Sequence, residues 1–252
     1  MNRHAQMLDR LELSSPWMNA AGFLGFFPPS HAAWVKPMGA FVTNAVSLQS
    51  RKPAQLRQVN PYPGGFILHT GLPNPGLQHM LRQNAERWSK SAVPVWVHLL
   101  PQTPGELPEL IEPLEELENV SAVELGIPPG ATLKSVLEFV RAANGELPVM
   151  ACISVDEMQN EWMVPIEDAG AAGVVLSAPR GMMKVESRLC RGRLYGPAIF
   201  PYMLNTVCRL AQFDLPVIAG GGVYSENDGE TLLEAGAAAI QLDAVLWRNW
   251  DS

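Results

Sequence analysis

The stretch 215–243, LPVIAGGGVYSENDGETLLEAGAAAIQLD, constrains the fold of this chain more than any other. It begins with an apolar run of strand type that ends in three glycines, where the backbone can turn sharply. Ser225 and Asp228 then form a capping-box pattern typical of a helix N-terminus, and a second buried strand is predicted at 238–242. Strand, helix and strand within so short a stretch predict a βαβ unit with a parallel pair.

The same alternation extends through the chain and predicts an α/β fold of one domain over residues 1–252. Short apolar runs that read as strands lie near 16–22, 39–47, 93–100, 121–127, 147–154, 173–177, 215–219 and 238–242. Eight strands alternating with helices favour a (β/α)₈ TIM barrel, with a doubly wound open sheet as the alternative. Little sequence follows the last strand, so the eighth helix is expected to be short or missing.

Two connections are much longer than the others, and we predict that both are loops. They span 48–74 and 178–196, and the second carries five basic residues. Loops of this length in a compact domain are usually functional, and barrels place function at the carboxyl ends of their strands. A short helix or turn is also predicted at 31–37.

Composition excludes several functional classes. The 252 residues carry a net charge of −7 with a pI near 5.3, which leaves no basic surplus for a nucleic-acid partner. The chain lacks an apolar run long enough for a membrane span, and its first residues are polar rather than signal-like, so a soluble, cytoplasmic protein is expected. Three widely spaced cysteines form neither a disulfide framework nor a CxxC metal motif, so no metal is predicted.

Several motifs, in order, resemble the dihydroorotate dehydrogenase family of soluble type. They are LSSPWMNAAGFLG (13–25), GAFVTNAVSLQSR (39–51), TGLPNPG (70–76), VELGIPPG (123–130), YGPAIFP (195–201) and the terminal AGGGV…EAGA…IQL. The resemblance covers nearly the whole chain. It implies a flavoprotein oxidoreductase whose FMN lies at the carboxyl ends of the strands, with the FMN phosphate on the last two βα loops.

The resemblance implies flavin contacts at positions where mainly the backbone, rather than the side chain, would touch the cofactor. The matching positions are Ala20, Ala21, Gly22, Thr43, Gly192, Gly196, Gly221 and Gly222. Two further positions belong to the same implied site but differ from the family in residue type. They are Asn44, which follows the threonine, and Asp243-Ala244, which follow the last strand. The family has a lysine at the first position and glycine-threonine at the second.

Other chemistry-bearing residues of the family are also replaced. A second flavin-side lysine corresponds to Cys152, and the loop that should supply the catalytic base reads Ile127-Pro128-Pro129-Gly130. The orotate-binding asparagines correspond to Leu68, Gly126, Gly130 and Ser177. Loss of a buried lysine removes positive charge that stabilises a reduced flavin. We therefore expect no dihydroorotate oxidation and an FMN site that is weakened or lost.

Few side chains remain as catalytic candidates, and each has a structural alternative. His69 could act as a general acid or base, or could be an ordinary loop histidine. Cys190, among arginines, could be a reactive thiol or an incidental loop cysteine. Glu124 and His98 are either polar anchors of the barrel interior or parts of a site, and Cys152 is interpreted as a small buried hydrophobe.

Three functions remain open from the sequence. The first is an FMN-dependent oxidoreductase with a substrate other than dihydroorotate. The second is a flavin-free barrel enzyme or binding protein for a phosphorylated or otherwise anionic metabolite. The third is a non-catalytic partner subunit or scaffold. Trp247 and Trp250, after the last strand, also predict a homo-oligomer, because tryptophans beside an uncovered barrel wall mark contacts.

Overall fold

Eight parallel strands close into a barrel in the computed structural model, which describes residues 3–28, 37–55, 59–185 and 187–247. The barrel strands are β1 (Trp17–Asn19), β2 (Met38–Val42), β5 (Val95–Leu99), β6 (Val120–Gly126), β7 (Val149–Ser154), β8 (Gly173–Ser177), β11 (Val217–Gly220) and β12 (Ala239–Leu242). The last strand pairs with the first, Trp17 opposite Ile240 and Asn19 opposite Leu242. This closure confirms the predicted TIM barrel and rules out the open sheet.

Alternation along the strands explains the barrel's two apolar layers. In β5, Val95, Val97 and Leu99 join the large cluster between strands and helices, whereas Trp96 joins a second cluster inside the barrel. All of β5 is buried, as expected for a parallel strand covered on both faces. His98, the remaining residue of β5, lies in the barrel interior near the carboxyl ends of the strands.

Seven α-helices accompany the strands in the described ranges. They are α1 (Arg3–Arg10), α2 (Leu77–Ser89), α3 (Leu107–Glu115), α4 (Leu133–Ala143), α5 (Met163–Asp168), α6 (Phe200–Leu210) and α7 (Glu226–Glu234). The predicted capping box at the start of α7 is present, with Ser225 and Asp228 exchanging hydrogen bonds. Helix α1 was not predicted, because its polar sequence hides the few apolar residues, Met7 and Leu8, that pack beneath the barrel.

After β12 the described chain continues only as a 3₁₀ turn, Ala244–Trp247, in keeping with a short or missing eighth helix. The helix or turn predicted at 31–37 falls almost wholly on residues 29–36, outside the described residues. Within the described ranges, no helix has both the length and the apolar composition that crossing a bilayer requires.

The prediction that 48–74 and 178–196 are plain loops is wrong. They contain strands β3 (Val59–Tyr62), β4 (Gly65–Leu68), β9 (Arg180–Val185) and β10 (Arg188–Tyr195), which form an antiparallel sheet in the order β3-β4-β10-β9. The hairpin of β9 and β10 directly follows barrel strand β8, and Arg193 of β10 donates to the Ala178 carbonyl just after β8. The sheet therefore lies over the carboxyl ends of the barrel strands. We call it the mouth sheet. It holds the side chains that face the barrel opening.

Candidate functional site

The inner cavity lies at the carboxyl ends of the barrel strands. Its volume is only about 80 Å³, and its mainly apolar wall includes several polar side chains. Its lining includes Ala20, Ala21, Gly22, His98, Glu124, Cys152, Ser177, Arg193, Tyr195, Gln241 and Asp243. Several residues that the resemblance assigns to the site, among them Ala20, Ala21, Gly22 and Asp243, line this cavity.

Glu124 is the centre of a buried hydrogen-bond network. Its side chain is 1% exposed, and its two oxygens accept from His98 Nδ1 at 2.7 Å and from Gln241 Nε2 at 2.5 Å. Burial alone would raise the pKa of Glu124, but hydrogen bonding and charge from His98, with help from Gln241, bring that pKa below its ordinary value. The carboxylate is therefore ionised and acts as an acceptor at neutral pH.

Cys152 lies in the same cavity as a neutral thiol. Burial raises its pKa well above the ordinary value, and the negative charge of Glu124 adds to the effect, although Arg193 opposes it. A thiol in this state is a poor nucleophile, because the thiolate is the reactive form. Cys152 therefore cannot supply the positive charge that the family's lysine brings to this position.

Asp243 directly follows β12 and is 2% exposed. Neither of its carboxylate oxygens has a hydrogen-bond partner of good geometry among the described residues. Burial raises the pKa of Asp243 to about 7, and the backbone N–H groups of Ala244, Gly222 and Val245 limit the rise. The carboxylate thus lies against the amide groups of the last two βα loops.

Four aromatic rings pack together beside the inner cavity, and two of them, Phe23 and Tyr195, line it. Phe23 packs edge-on against Tyr195, with ring centroids 5.3 Å apart, and lies 4.8 Å from the ring of Trp247. Phe66 of the mouth sheet contacts both Tyr195 and Trp247. Trp247 Nε1 also donates to the carbonyl of Phe23 at 3.3 Å. We call this group the aromatic cover; Ala244 is buried beneath it.

A second and larger pocket, the outer pocket, lies between the mouth sheet and the loops after β5 and β6. It has a volume of about 450 Å³, within the range of small-molecule sites. Its charged lining consists of Arg51, Arg180 and Arg193, and His69 and His98 also line it. A neighbouring cavity of about 420 Å³ shares His69 and Arg180 with it.

The arginines of the outer pocket differ in how they are held. Arg193 Nη1 donates to Ser177 Oγ at 2.7 Å and to the Ala178 carbonyl at 2.8 Å, which fixes its guanidinium beside the end of β8. Burial lowers the pKa of Arg180 and the like charge of Arg193 lowers it further, whereas the carboxylates of Glu157 and Asp156 oppose the shift. The Nε of Arg180 is buried and has no hydrogen-bond partner in the described structure. An anion would satisfy this donor and reduce the repulsion.

The structure separates the two catalytic candidates. His69 lines the outer pocket. Cys190 lies in the mouth sheet, is 5% exposed, and has Asn60 Nδ2 at 3.5 Å, away from the lining of both pockets. Of the arginines near Cys190 in sequence, Arg191 and Arg193 project from the opposite face of β10.

Asn44 and Thr43 are held by neighbouring chain segments. Asn44 Oδ1 accepts from the amide of Gly25 at 3.1 Å. Thr43 Oγ1 donates to the Asn44 carbonyl and accepts from the amide of His98. Both residues therefore fix the loop after β2 and the course of β5.

The glycines assigned by resemblance have steric reasons of their own. A Cβ at Gly192 would lie 2.3 Å from the Leu68 carbonyl oxygen, and one at Gly196 would lie 2.2 Å from that of Gly64. Gly222 has a φ of +77°, and a Cβ there would meet the Phe200 amide nitrogen at 2.5 Å. At Gly221 a Cβ would meet only ordinary contacts, including Asp243 Oδ2 at 3.5 Å, but the φ of +135° still disfavours any other residue. The glycine framework therefore does not by itself indicate a bound flavin.

Arg51 and Gln241 were missed by sequence reasoning. Arg51 lies on the first long connection, far in sequence from the other arginines of the outer pocket, and no local motif marks it. Gln241 is the one polar residue of the apolar strand β12 and faces the barrel interior. A single polar residue in such a strand is the sequence signal that could have identified it.

Comparison with known proteins agrees with the barrel fold. The profile of the family described as "Dihydroorotate dehydrogenase" matches residues 5–250. The chain belongs to the dihydroorotate dehydrogenase family. This family consists of FMN-dependent oxidoreductases, so the fit of FMN to the present residues is the next question.

Similar family members include the catalytic subunits of dihydroorotate dehydrogenase B (NAD(+)) from two bacteria. The subunit from Anoxybacillus flavithermus is 28% identical over 264 residues, which cover 96% of this chain and 85% of the relative. The subunit from Trichlorobacter lovleyi is 28% identical over 265 residues, covering 96% and 87%. The similarity therefore spans the whole barrel.

The residues at the mouth fit FMN poorly. The inner cavity is well below the roughly 300–1,000 Å³ of usual ligand sites. The amide groups of Gly222, Ala244 and Val245, where the family would bind a phosphate, face the carboxylate of Asp243 instead. Phe23 and Tyr195 of the aromatic cover take up further space at this cavity. Ala20 to Gly22 still present a flat, small-residue surface to the cavity, and a Cβ at Gly22 would meet nothing within 4 Å.

Proposed function

We propose that this member of the dihydroorotate dehydrogenase family binds a small anionic metabolite in the outer pocket, does not oxidise dihydroorotate, and binds FMN weakly or not at all. The observation that carries the proposal is the set of three guanidinium groups, Arg51, Arg180 and Arg193, around a pocket of about 450 Å³. Arginine suits carboxylates and phosphates because its planar donors bind two oxygens at once.

The charge distribution supports an anion rather than a neutral ligand. Arg180 is half-buried with its buried Nε donor unpaired, and Arg193 lies close enough to lower its pKa. Two like charges at such a site repel one another, and an anion between them would turn this repulsion into attraction. His69 provides a further hydrogen-bonding group on the same wall.

Dihydroorotate oxidation lacks support among the side chains that the pocket offers. The loop 127–130 lines the pocket with Ile127, Pro128 and Pro129 and provides no proton acceptor there. The Ser177 hydroxyl accepts from Arg193, and His98 is held by Glu124. A general base must reach the proton that it removes, and among these groups only His69 is not held by such a contact.

Weak binding of FMN follows from the ionisation of Asp243. With a pKa of about 7, a large fraction of this carboxylate is charged at neutral pH. A dianionic phosphate at the same amides would meet a buried like charge. Neutral Asn44 and Cys152 add no compensating positive charge at the other end of the site.

An FMN-dependent oxidoreductase with another anionic substrate is the second candidate. The surface formed by Ala20, Ala21 and Gly22 favours it, because Gly22 keeps a φ of +93° with open space above it. The outer pocket would then hold the substrate against the flavin.

Calorimetric titration with orotate, succinate and inorganic phosphate tests the anion site. We expect at least one anion to bind, and we expect Arg180→Ala to weaken it at least about tenfold, which corresponds to about 1.4 kcal/mol. Arg188→Ala, at the exposed start of β10, is the matched control and should bind as the wild type does. Equal affinities in all three proteins would contradict the proposed site, as would rapid dihydroorotate oxidation by the purified wild type with an added electron acceptor.

A further inference from the structure

We propose that His98, Glu124 and Cys152 form a binding site for Zn²⁺ inside the barrel. One donor atom from each side chain, a ring nitrogen, a carboxylate oxygen and the thiol sulfur, lies within 4.8 Å of the other two. All three residues are buried and all three line the inner cavity. His98 also lines the outer pocket, but the three donors do not include the arginines of the proposed anion site, so this proposal does not depend on that one.

The barrel register brings these residues together. His98 of β5 is the direct partner of Glu124 on β6, and Cys152 of β7 pairs with Gly126, two residues beyond Glu124. Side chains two apart on a strand share a face. Three neighbouring strands thus direct their donors to one point inside the barrel. Sequence spacing cannot reveal such a site, which explains why no metal was predicted.

The donor set matches the chemistry of zinc. Imidazole nitrogen, carboxylate oxygen and thiolate sulfur are its three usual protein ligands, whereas a thiolate disfavours Mg²⁺ and Ca²⁺. Three protein ligands leave a fourth tetrahedral position open. A cavity of about 80 Å³ has room for a water there, since one water needs roughly 10–15 Å³ of such volume.

Only a small movement is required to admit the ion. His98 Nδ1 and Glu124 Oε1 are now 2.7 Å apart, a hydrogen-bond distance. Ligands about 2.0–2.1 Å from a tetrahedral zinc lie about 3.3 Å from one another. The two groups must therefore separate by roughly 0.6 Å, which rotation of the side chains can provide.

The surroundings orient the ligands and balance their charge. Gln241 Nε2 holds the other oxygen of Glu124, and Thr43 Oγ1 fixes the amide of His98. Such contacts behind the ligands are typical of metal sites. Binding displaces the thiol proton of Cys152 and the Nδ1 proton of His98 to solvent, so Zn²⁺ with a neutral imidazole, one thiolate and one carboxylate is neutral overall. The nearby Arg193 guanidinium then faces a neutral centre.

A purely structural network is the alternative, because Glu124 is already satisfied by His98 and Gln241. In that case the thiol has no role, and replacing it would leave metal affinity unchanged. The two explanations therefore differ in what Cys152 contributes.

Metal analysis of the full chain tests the proposal. After removal of metal with a chelator, incubation with Zn²⁺ and dialysis, we expect about one zinc per chain. Reconstitution with Co²⁺ should give a sulfur-to-cobalt charge-transfer band in the ultraviolet and d–d bands of tetrahedral intensity. Cys152→Ser should abolish the charge-transfer band, and Glu124→Gln should reduce zinc retention at least about tenfold.

Cys208→Ser removes an exposed thiol and is the matched control, which should keep both the band and the zinc. Circular dichroism checks that each variant is folded. If a variant does not fold, the cobalt spectrum of the wild type still tests the proposal. Failure of the wild type to retain zinc, or the loss of the charge-transfer band only in Cys208→Ser, would overturn the proposal. Arg180→Ala should leave metal content unchanged, which distinguishes this test from that of the anion site.

Discussion

Asp243 has a buried carboxylate at a position where its ionisation costs free energy. It is buried beneath the aromatic cover and has no partner of good geometry among the described residues. A residue of this kind is expected at a functional position, because the fold alone gains nothing from it. The resemblance motif identified the position, but the sequence could not show that the side chain turns inward to the loop amides.

Replacement of Asp243 by asparagine should change how stability depends on pH. The folded pKa of about 7 lies above the ordinary 3.8, so the folded state binds the proton more tightly than the unfolded state does. Asp243 therefore destabilises the fold increasingly as pH rises from about 4 to about 7, by up to about 4 kcal/mol.

Chemical denaturation across this pH range measures the effect as the difference between wild type and Asp243→Asn. The variant should gain relative stability as pH rises and show a constant advantage above pH of about 8. Parallel curves for the two proteins would mean that the carboxylate is not buried as described.

At the scale of elements, buried strands were predictable and the mouth sheet was not. Barrel strands such as β7 are apolar on both faces, so their sequence alone indicates burial. The mouth-sheet strands β3 and β9 are partly exposed, and β4 pairs with β10, far along the chain. Long-range pairing of half-exposed strands leaves only a weak local signal.

Gly192 is a sensitive point of the mouth sheet, and Gly192→Ala should disturb it. The new Cβ would lie 2.3 Å from the Leu68 carbonyl oxygen, where β10 pairs with β4. We expect a loss of roughly 1–3 kcal/mol in unfolding free energy and weaker anion binding, since Arg193 is the next residue.

Gly105→Ala is the matched control, because its Cβ would come no closer than 3.8 Å to the nearest atom. Its unfolding free energy should stay within about 0.5 kcal/mol of the wild type. Thermal and denaturant unfolding measure both variants. Equal stability of the two would show that the β4–β10 contact adapts to a side chain.

For the whole molecule, the rule that barrels place ligands at strand carboxyl ends predicts a site at the end where the inner cavity and the outer pocket lie. The same rule could not identify the occupants of that site. Arg51 and Arg193 come from different long connections, and His98, Glu124 and Cys152 come from three strands. Only the closed barrel brings each set together, so neither appears as a motif.

Self-association through the end of the described chain remains a prediction. Trp247 belongs to the aromatic cover but is still 52% exposed, whereas Trp250 lies outside the described residues. Sedimentation at micromolar concentration should show a dimer or larger assembly, because an exposed tryptophan beside apolar rings favours contact. Trp247→Ala should shift it towards monomer, and Tyr202→Ala, an exposed ring on α6, should not. A monomeric wild type would contradict the prediction.

Titration of FMN into the purified protein, followed by flavin fluorescence, tests most directly whether this family member still holds its cofactor. We predict no saturable binding by the wild type up to about 100 μM, equivalent to about 5.5 kcal/mol of binding free energy. Asp243→Gly should bind within that range, because the loop amides are then free for the phosphate. Submicromolar binding by the wild type, unchanged in Asp243→Gly, would contradict the account.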